Sequence, residues 1–213
     1  MNLKSKSVQL LSLLCILITP LAAKHEKSEA HLERYVDLIE QLGNTVIHIL
    51  KDRQQTLPVR KERFRKVVLE HFAMPTIGQF VAGRYWRQMT AEQKTTFLTL
   101  FEEAVIENYA RQFDSYSNEQ LVVKSAHLTN DTPPGVLVKS LMTRQGDGKP
   151  LPLVWKVYNT KRGLKVTDVI VDNVSMGLSL RNEYASAVEN RGGIEGLFDY
   201  LREKIHHNQA RKP

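Results

Sequence analysis

Seven histidines and a scatter of serines and carboxylates are the residues that could do chemistry, and their spacing decides whether they do. His206 and His207 are adjacent in a basic tail, which is poor geometry for two ligands from one helix face. His25 and His31 lie in a polar stretch near the N-terminus, while His48, His71 and His127 stand isolated. No HExxH occurs, and no two Glu-x-x-His motifs that could face each other, so no metal is expected. Ser175 and Ser179 belong to no G-x-S-x-G turn and have no histidine or acid in a recognisable arrangement. Phosphate-loop and dinucleotide glycine patterns are missing too, so no cofactor is expected. Asp168 is the exception. It sits inside an apolar strand-like run, where burial could perturb its ionisation and make it a proton-transfer base. The alternatives are that it caps a turn or pairs with an arginine such as Arg84 or Arg181.

The single cysteine, Cys15, lies in an apolar run from Val8 to Ile18. Lys4 and Lys6 precede that run and Pro20-Leu21-Ala22-Ala23 follows it, which is the order of a secretory signal peptide. The run is too short to span a bilayer, which takes roughly 20 apolar residues. Residues 1–23 are therefore expected to be removed, with 24–31 a polar leader, 32–205 one domain and 206–213 a polar tail. The exported chain then has no cysteine, which excludes thiol catalysis, CxxC redox chemistry and cysteine zinc sites. Losing Lys4 and Lys6 lowers the net charge from +7 to +5, and export argues against nucleic acid as the partner of that charge.

The elements that would position any site follow from periodicity. Tyr35, Val36, Ile39, Leu42, Val46, Ile49 and Leu50 recur at helical spacing from Leu32 to Leu50. Pro58 suits the first turn of a second helix, whose face is Phe64, Val67, Val68, His71 and Phe72. Pro75 ends that run, and a short third helix carries Ile77, Phe80, Val81 and Tyr85-Trp86. Thr90 and Gln93 form a capping box that opens a fourth helix at Ala91. Phe97, Leu98, Leu100, Phe101, Ala104, Val105 and Tyr109 share one half of its surface, with Asn108 and Gln112 intruding. After Tyr116 the period changes to two. Gln120–Thr129, Gly135–Thr143, Leu151–Asn159 and Gly163–Val171 read as four strands joined by short turns, hence an antiparallel meander. If Lys156 and Lys165 face water, Trp155, Val157, Val166 and Ile170 face the helices. Asn182–Val188 and Ile194–Leu201 return to helix, so the fold class is α+β with one domain. Large apolar side chains facing a sheet, with no catalytic constellation, favour a binder over an enzyme.

At Arg84-Tyr85-Trp86-Arg87, Thr90, Glu92-Gln93, Phe97 and Phe101 the chain resembles the MlaC-like family, periplasmic phospholipid carriers of the lipid-asymmetry pathway, also called toluene-tolerance auxiliary proteins. The runs Val68–Phe72 and Phe80–Gly83, Val166–Val171, Val174-Ser175-Met176 and Gly193–Leu197 resemble the family's neighbouring segments in the same order. Leu164, Thr167 and Asn173 stand where the family tends to have Trp, Tyr and Gly. The resemblance implies an NTF2-like fold, in which a curved four-stranded antiparallel sheet and the helices on its concave face enclose a deep apolar pocket. It implies a periplasmic, non-catalytic shuttle for phospholipid between an outer-membrane lipoprotein–porin complex and an inner-membrane ABC transporter bearing an MCE-domain subunit. Phe80, Tyr85, Phe101, Val105 and Tyr109 are expected to line the helical wall of such a pocket. Val136, Val138, Leu153, Trp155, Val157, Val166 and Ile170 are expected to line the sheet wall. A carrier of hopanoids or another apolar ligand is one alternative, and an isomerase- or hydratase-type enzyme with Asp168 as base is another.

Overall fold

A computed structural model describes residues 19–110, 113, 119–143 and 149–210, with side chains from His31 onward. The apolar run Val8–Ile18, Gln112 and the turn at Gln145–Gly148 lie outside the described residues. Six helices, α1 (Thr19–Lys51), α2 (Leu57–His71), α3 (Met74–Ala82), α4 (Ala91–Ala110), α5 (Met176–Asn190) and α6 (Ile194–Ala210), flank five strands. The strands are β1 (Gln120–Leu128), β2 (Val136–Thr143), β3 (Leu151–Thr160), β4 (Gly163–Val171) and β5 (Val174–Ser175), each antiparallel to the next in chain order.

Local chemistry sets the helix ends. Pro58 and Pro75 both sit in first turns, where a missing N–H is harmless. Gly83 ends α3 with φ +56° and opens a single 3₁₀ turn, Gly83–Arg87, a backbone that other residues adopt with strain. At the start of α4 the Thr90 amide donates to Gln93 Oε1 at 3.0 Å, and the Gln93 amide donates to Thr90 Oγ1 at 3.1 Å. This is the capping box that the sequence predicts, and Thr90→Ala should lower stability by about 1 kcal/mol in urea unfolding. The final helix extends to Ala210, so part of the expected tail is helical and Asn208 is buried.

The sheet departs from the expected four strands. Asp172 and Asn173 both take left-handed backbone, φ 47° and 66°, and make a two-residue reversal. That turn folds Val174 and Ser175 back against Val171 and Ile170 as a fifth, two-residue strand.

Two β-bulges matter more. Val123 pairs with Ser140 but Ser125 with Lys139, leaving Lys124 as an extra residue in β1. Val157 pairs with Val166 but Lys156 with Asp168, leaving Thr167 extra in β4. Bulges bend a strand and increase its twist, which curves the sheet. They also reverse the alternation beyond them. Trp155 therefore pairs with Val169 and Leu153 with Val171, while Ile170 pairs with Val154 on the opposite face. The expectation that Ile170 shares a face with Val157 and Val166 is corrected: Val169 takes that place.

The helices are joined to one another and to the sheet's two ends. Gly43 lets α1 lie close on β1, since a Cβ there would meet Leu121 Cδ2 at 2.4 Å. At the other end α2, α3 and α5 reach β4, while α4 packs on α2, α3 and α6. Phe97 stacks on Phe101 at 6.0 Å, and both rings lie nearly perpendicular to that of Tyr184 from α5.

Candidate functional site

Alternation plus the two bulges gathers an apolar surface on one side of the sheet. Val136, Val138, Leu153, Val157 and Val166 lie on it, each at most 4 % exposed. Leu121 and Val123 of β1 and Met142 of β2 join them by register, all half-buried. Trp155 is half-buried, and its indole Nε1 donates to Ser140 Oγ at 2.9 Å, which settles the one polar side chain in the middle of that face. The face is graded. Around Val136, Val157 and Val166 it is sealed, whereas toward Met142, Leu151 and Val171 its residues keep contact with solvent.

Of the expected helical wall, Val105 and Tyr109 follow Phe101 at four-residue steps along α4. Tyr109 keeps 41 % of its surface accessible, yet burial pushes its hydroxyl pKa above the ordinary tyrosine value. Its ring lies 6.4 Å from that of Phe64 on α2. Phe101 is different. It is fully buried between α3, α4 and α5, in contact with the Gly78 position, Phe97 and Tyr184.

Phe80 and Tyr85 lie elsewhere. Phe80 is 44 % exposed beneath the Arg181 guanidinium, 5.2 Å from its ring centre, in an outer recess on α3, the 3₁₀ turn and α5. The Tyr85 hydroxyl donates to Glu189 Oε1 at 3.1 Å and accepts from Arg84 at 2.7 Å, bridging the 3₁₀ turn to α5. Beyond the expected residues, the apolar face also holds Val169, Leu121, Val123 and Met142. Strict alternation names Leu121 and Val123 as one face of β1, but nothing in the sequence marks Thr167 as the bulge that brings Val169 round.

Asp168 is placed by register on the other side of the sheet, opposite Lys156. Its Oδ2 accepts from Ser175 Oγ at 2.6 Å and its Oδ1 from the Gly177 amide at 3.0 Å. Ser175 Oγ in turn accepts from the Leu178 amide at 3.0 Å as the N-cap of α5. Both carboxylate oxygens thus hold the β5–α5 junction. This is the turn-capping alternative, and it leaves Asp168 outside the apolar face. Among the described residues no three His, Cys, Asp or Glu side chains gather as a metal site, and no described helix is long and apolar enough to cross a membrane.

The far end of α4 is secured by charge. Lys61 Nζ donates to Glu107 Oε1 at 2.6 Å and Gln209 Nε2 donates to the same oxygen at 2.8 Å, tying α2, α4 and α6 together. Arg65 binds Glu102 at 2.9 Å and also Glu103. Burial disfavours the Glu107 charge, but the Lys61 and Gln209 hydrogen bonds outweigh it and hold the pKa below the ordinary glutamate value. A lowered pKa gives stability that is present above the unfolded value, about 4.3, and lost as pH falls through the folded one. Urea midpoints should therefore drop below about pH 4.3. In Glu107→Gln that acid drop should be smaller.

These features can be set beside known proteins. The sequence pattern of the MlaC protein family matches residues 40–203. The intermembrane phospholipid transport system binding protein MlaC of Haemophilus influenzae is 22 % identical over 172 residues, covering 78 % of this chain and 79 % of that protein. Toluene tolerance protein ttg2D of Pseudomonas putida is 25 % identical over 109 residues, 51 % of this chain and 49 % of that one. The phospholipid-binding protein of Ralstonia solanacearum, solved in complex with a phospholipid, superposes with a TM-score of 0.69 at 22 % identity, covering 81 % of this chain and 97 % of that one. The last comparison carries the fold and the first carries descent, since the matched segment runs from the C-terminal part of α1 into α6. The chain belongs to the MlaC family.

Proposed function

We propose that the protein is a periplasmic phospholipid carrier, exported by its N-terminal segment, that holds acyl chains against the apolar face of its sheet and releases them to membrane-bound partners without catalysis. The observation that carries this reading is the graded apolar face itself, sealed at Val136, Val157 and Val166 and open toward Met142, Leu151 and Val171. Transport through water demands such a surface. At about 0.8 kcal/mol per methylene, the roughly 30 methylenes of a diacyl lipid represent on the order of 25 kcal/mol of unfavourable hydration. A flat patch shields only part of that, so the chains must be enclosed, and hydrocarbon offers no hydrogen bonds for the lining to satisfy. Val105 and Tyr109 of α4 face the chains from the helical side, and Trp155 and Val169 from the sheet. Phospholipid-binding relatives in Haemophilus influenzae and Ralstonia solanacearum support the ligand class.

Enclosure has a consequence for partners. A lipid held this way leaves slowly unless another protein opens the fold or offers a tighter site. The family resemblance names these as an inner-membrane ABC transporter with an MCE-domain subunit and an outer-membrane lipoprotein–porin complex. Organic extraction of the purified protein followed by lipid mass spectrometry tests the ligand. Two-tailed phospholipid near one per chain is expected. A triterpenoid in its place would move the assignment to a hopanoid carrier, and an empty extract would remove the carrier reading altogether.

A further inference from the structure

Away from the sheet, the 3₁₀ turn and its neighbours build an outer recess of about 280 Å³ lined by Phe80, Trp86 and the guanidinium-bearing Arg84, Arg87 and Arg181. A second hollow of about 220 Å³ adjoins it across Gly83 and Arg84. The recess is open and smaller than the ~300–1,000 Å³ of ligand pockets, too small to hide a lipid but sized for one or two protein side chains. Phe80 at 44 % exposure is its apolar floor, and Leu178, next to the Gly177 position that Phe80 abuts, is 51 % exposed.

Three features make this more than a scattered surface. Arg181 is held in place, stacked on Phe80 and resting against Gly83, where a Cβ would come within 3.0 Å of its Nε. An arginine already ordered loses little freedom when it binds. Only Arg84 is neutralised locally, by Glu189, and among the described residues Arg87 and Arg181 have no carboxylate partner within ion-pair distance. Arginine beside an exposed aromatic is also the composition of interface hot spots. From the uncompensated charge over an apolar floor we infer that this recess docks an acidic segment of a partner protein, one apolar side chain entering against Phe80 while flanking carboxylates meet Arg181 and Arg87. The surface is separate from the lipid-facing sheet, so docking and lipid holding can be lost independently.

A fluorescein-labelled peptide Glu-Asp-Glu-Leu-Phe-Glu-Asp-Glu, followed by fluorescence anisotropy at low salt, is the probe. The full chain should bind it, and binding should weaken as salt is raised. Arg181→Glu and Phe80→Ala should each weaken it by at least about tenfold, with lipid content and melting temperature unchanged. A version with Gln and Asn replacing the acids should bind at least about tenfold more weakly. Failure to bind, or equal affinity for wild type and both variants, overturns the docking site while leaving the carrier reading intact. Binding to phosphatidylglycerol vesicles that Arg181→Glu abolishes, with peptide affinity unaltered, would assign the recess to a membrane surface and overturn it as well.

Discussion

Val105→Glu should strip the purified protein of phospholipid, lowering the amount extracted per chain by at least about tenfold while the far-UV spectrum stays that of the folded protein. The side chain is half-buried, so a longer residue can be accommodated without breaking the core. Its carboxylate would then face hydrocarbon, and an unpaired charge in an apolar, water-poor site is disfavoured by several kcal/mol. Register supplies the control. Val169→Glu places the same charge on the Trp155 side of β4 and should lose lipid similarly. Ile170→Glu, one residue along, lies beside Val154 on the other face and should leave lipid content within about twofold of wild type. Loss of lipid in Ile170→Glu with retention in Val169→Glu would place the lipid on the wrong side of the sheet and end the proposal.

Phe101→Ala should show the opposite pattern, a large loss of stability with no specific loss of ligand. Phe101 is 1 % exposed and touches Phe97, Tyr184 and the Gly78 position, in a junction of three helices. Emptying such a site removes the ring's transfer energy and leaves a cavity that rigid aromatic neighbours fill poorly, for a cost of about 3–5 kcal/mol. The urea midpoint should fall with little change in slope. Lipid bound per folded chain should remain as in wild type. A variant of near-native stability that no longer holds lipid would instead place Phe101 in the ligand wall.

The contrast between Phe101 and Val105 shows how far reading by periodicity reaches. Both fall on the apolar half of α4, and a helical projection gives no means of separating a residue buried at a helix junction from one that stays half-buried. The same limit explains Phe80 and Tyr85. Their spacing marks them as apolar, but Arg181 from α5 roofs Phe80 and Glu189 engages Tyr85, contacts about 100 residues away in sequence that no local pattern encodes.

What the residues alone determined is the element list and the chemistry it excludes: the capping box at Thr90, the proline-started helices, the antiparallel order of the principal strands, and the lack of any nucleophile or ligand constellation. These follow from short-range geometry, where neighbours within four positions suffice. Tertiary structure decided which apolar side chains share a surface. Thr167 as an extra residue exchanges Val169 for Ile170, and Asp172-Asn173 in left-handed backbone adds a fifth strand. Both are consequences of pairing, because a bulge is defined by the strand opposite and not by the strand that carries it.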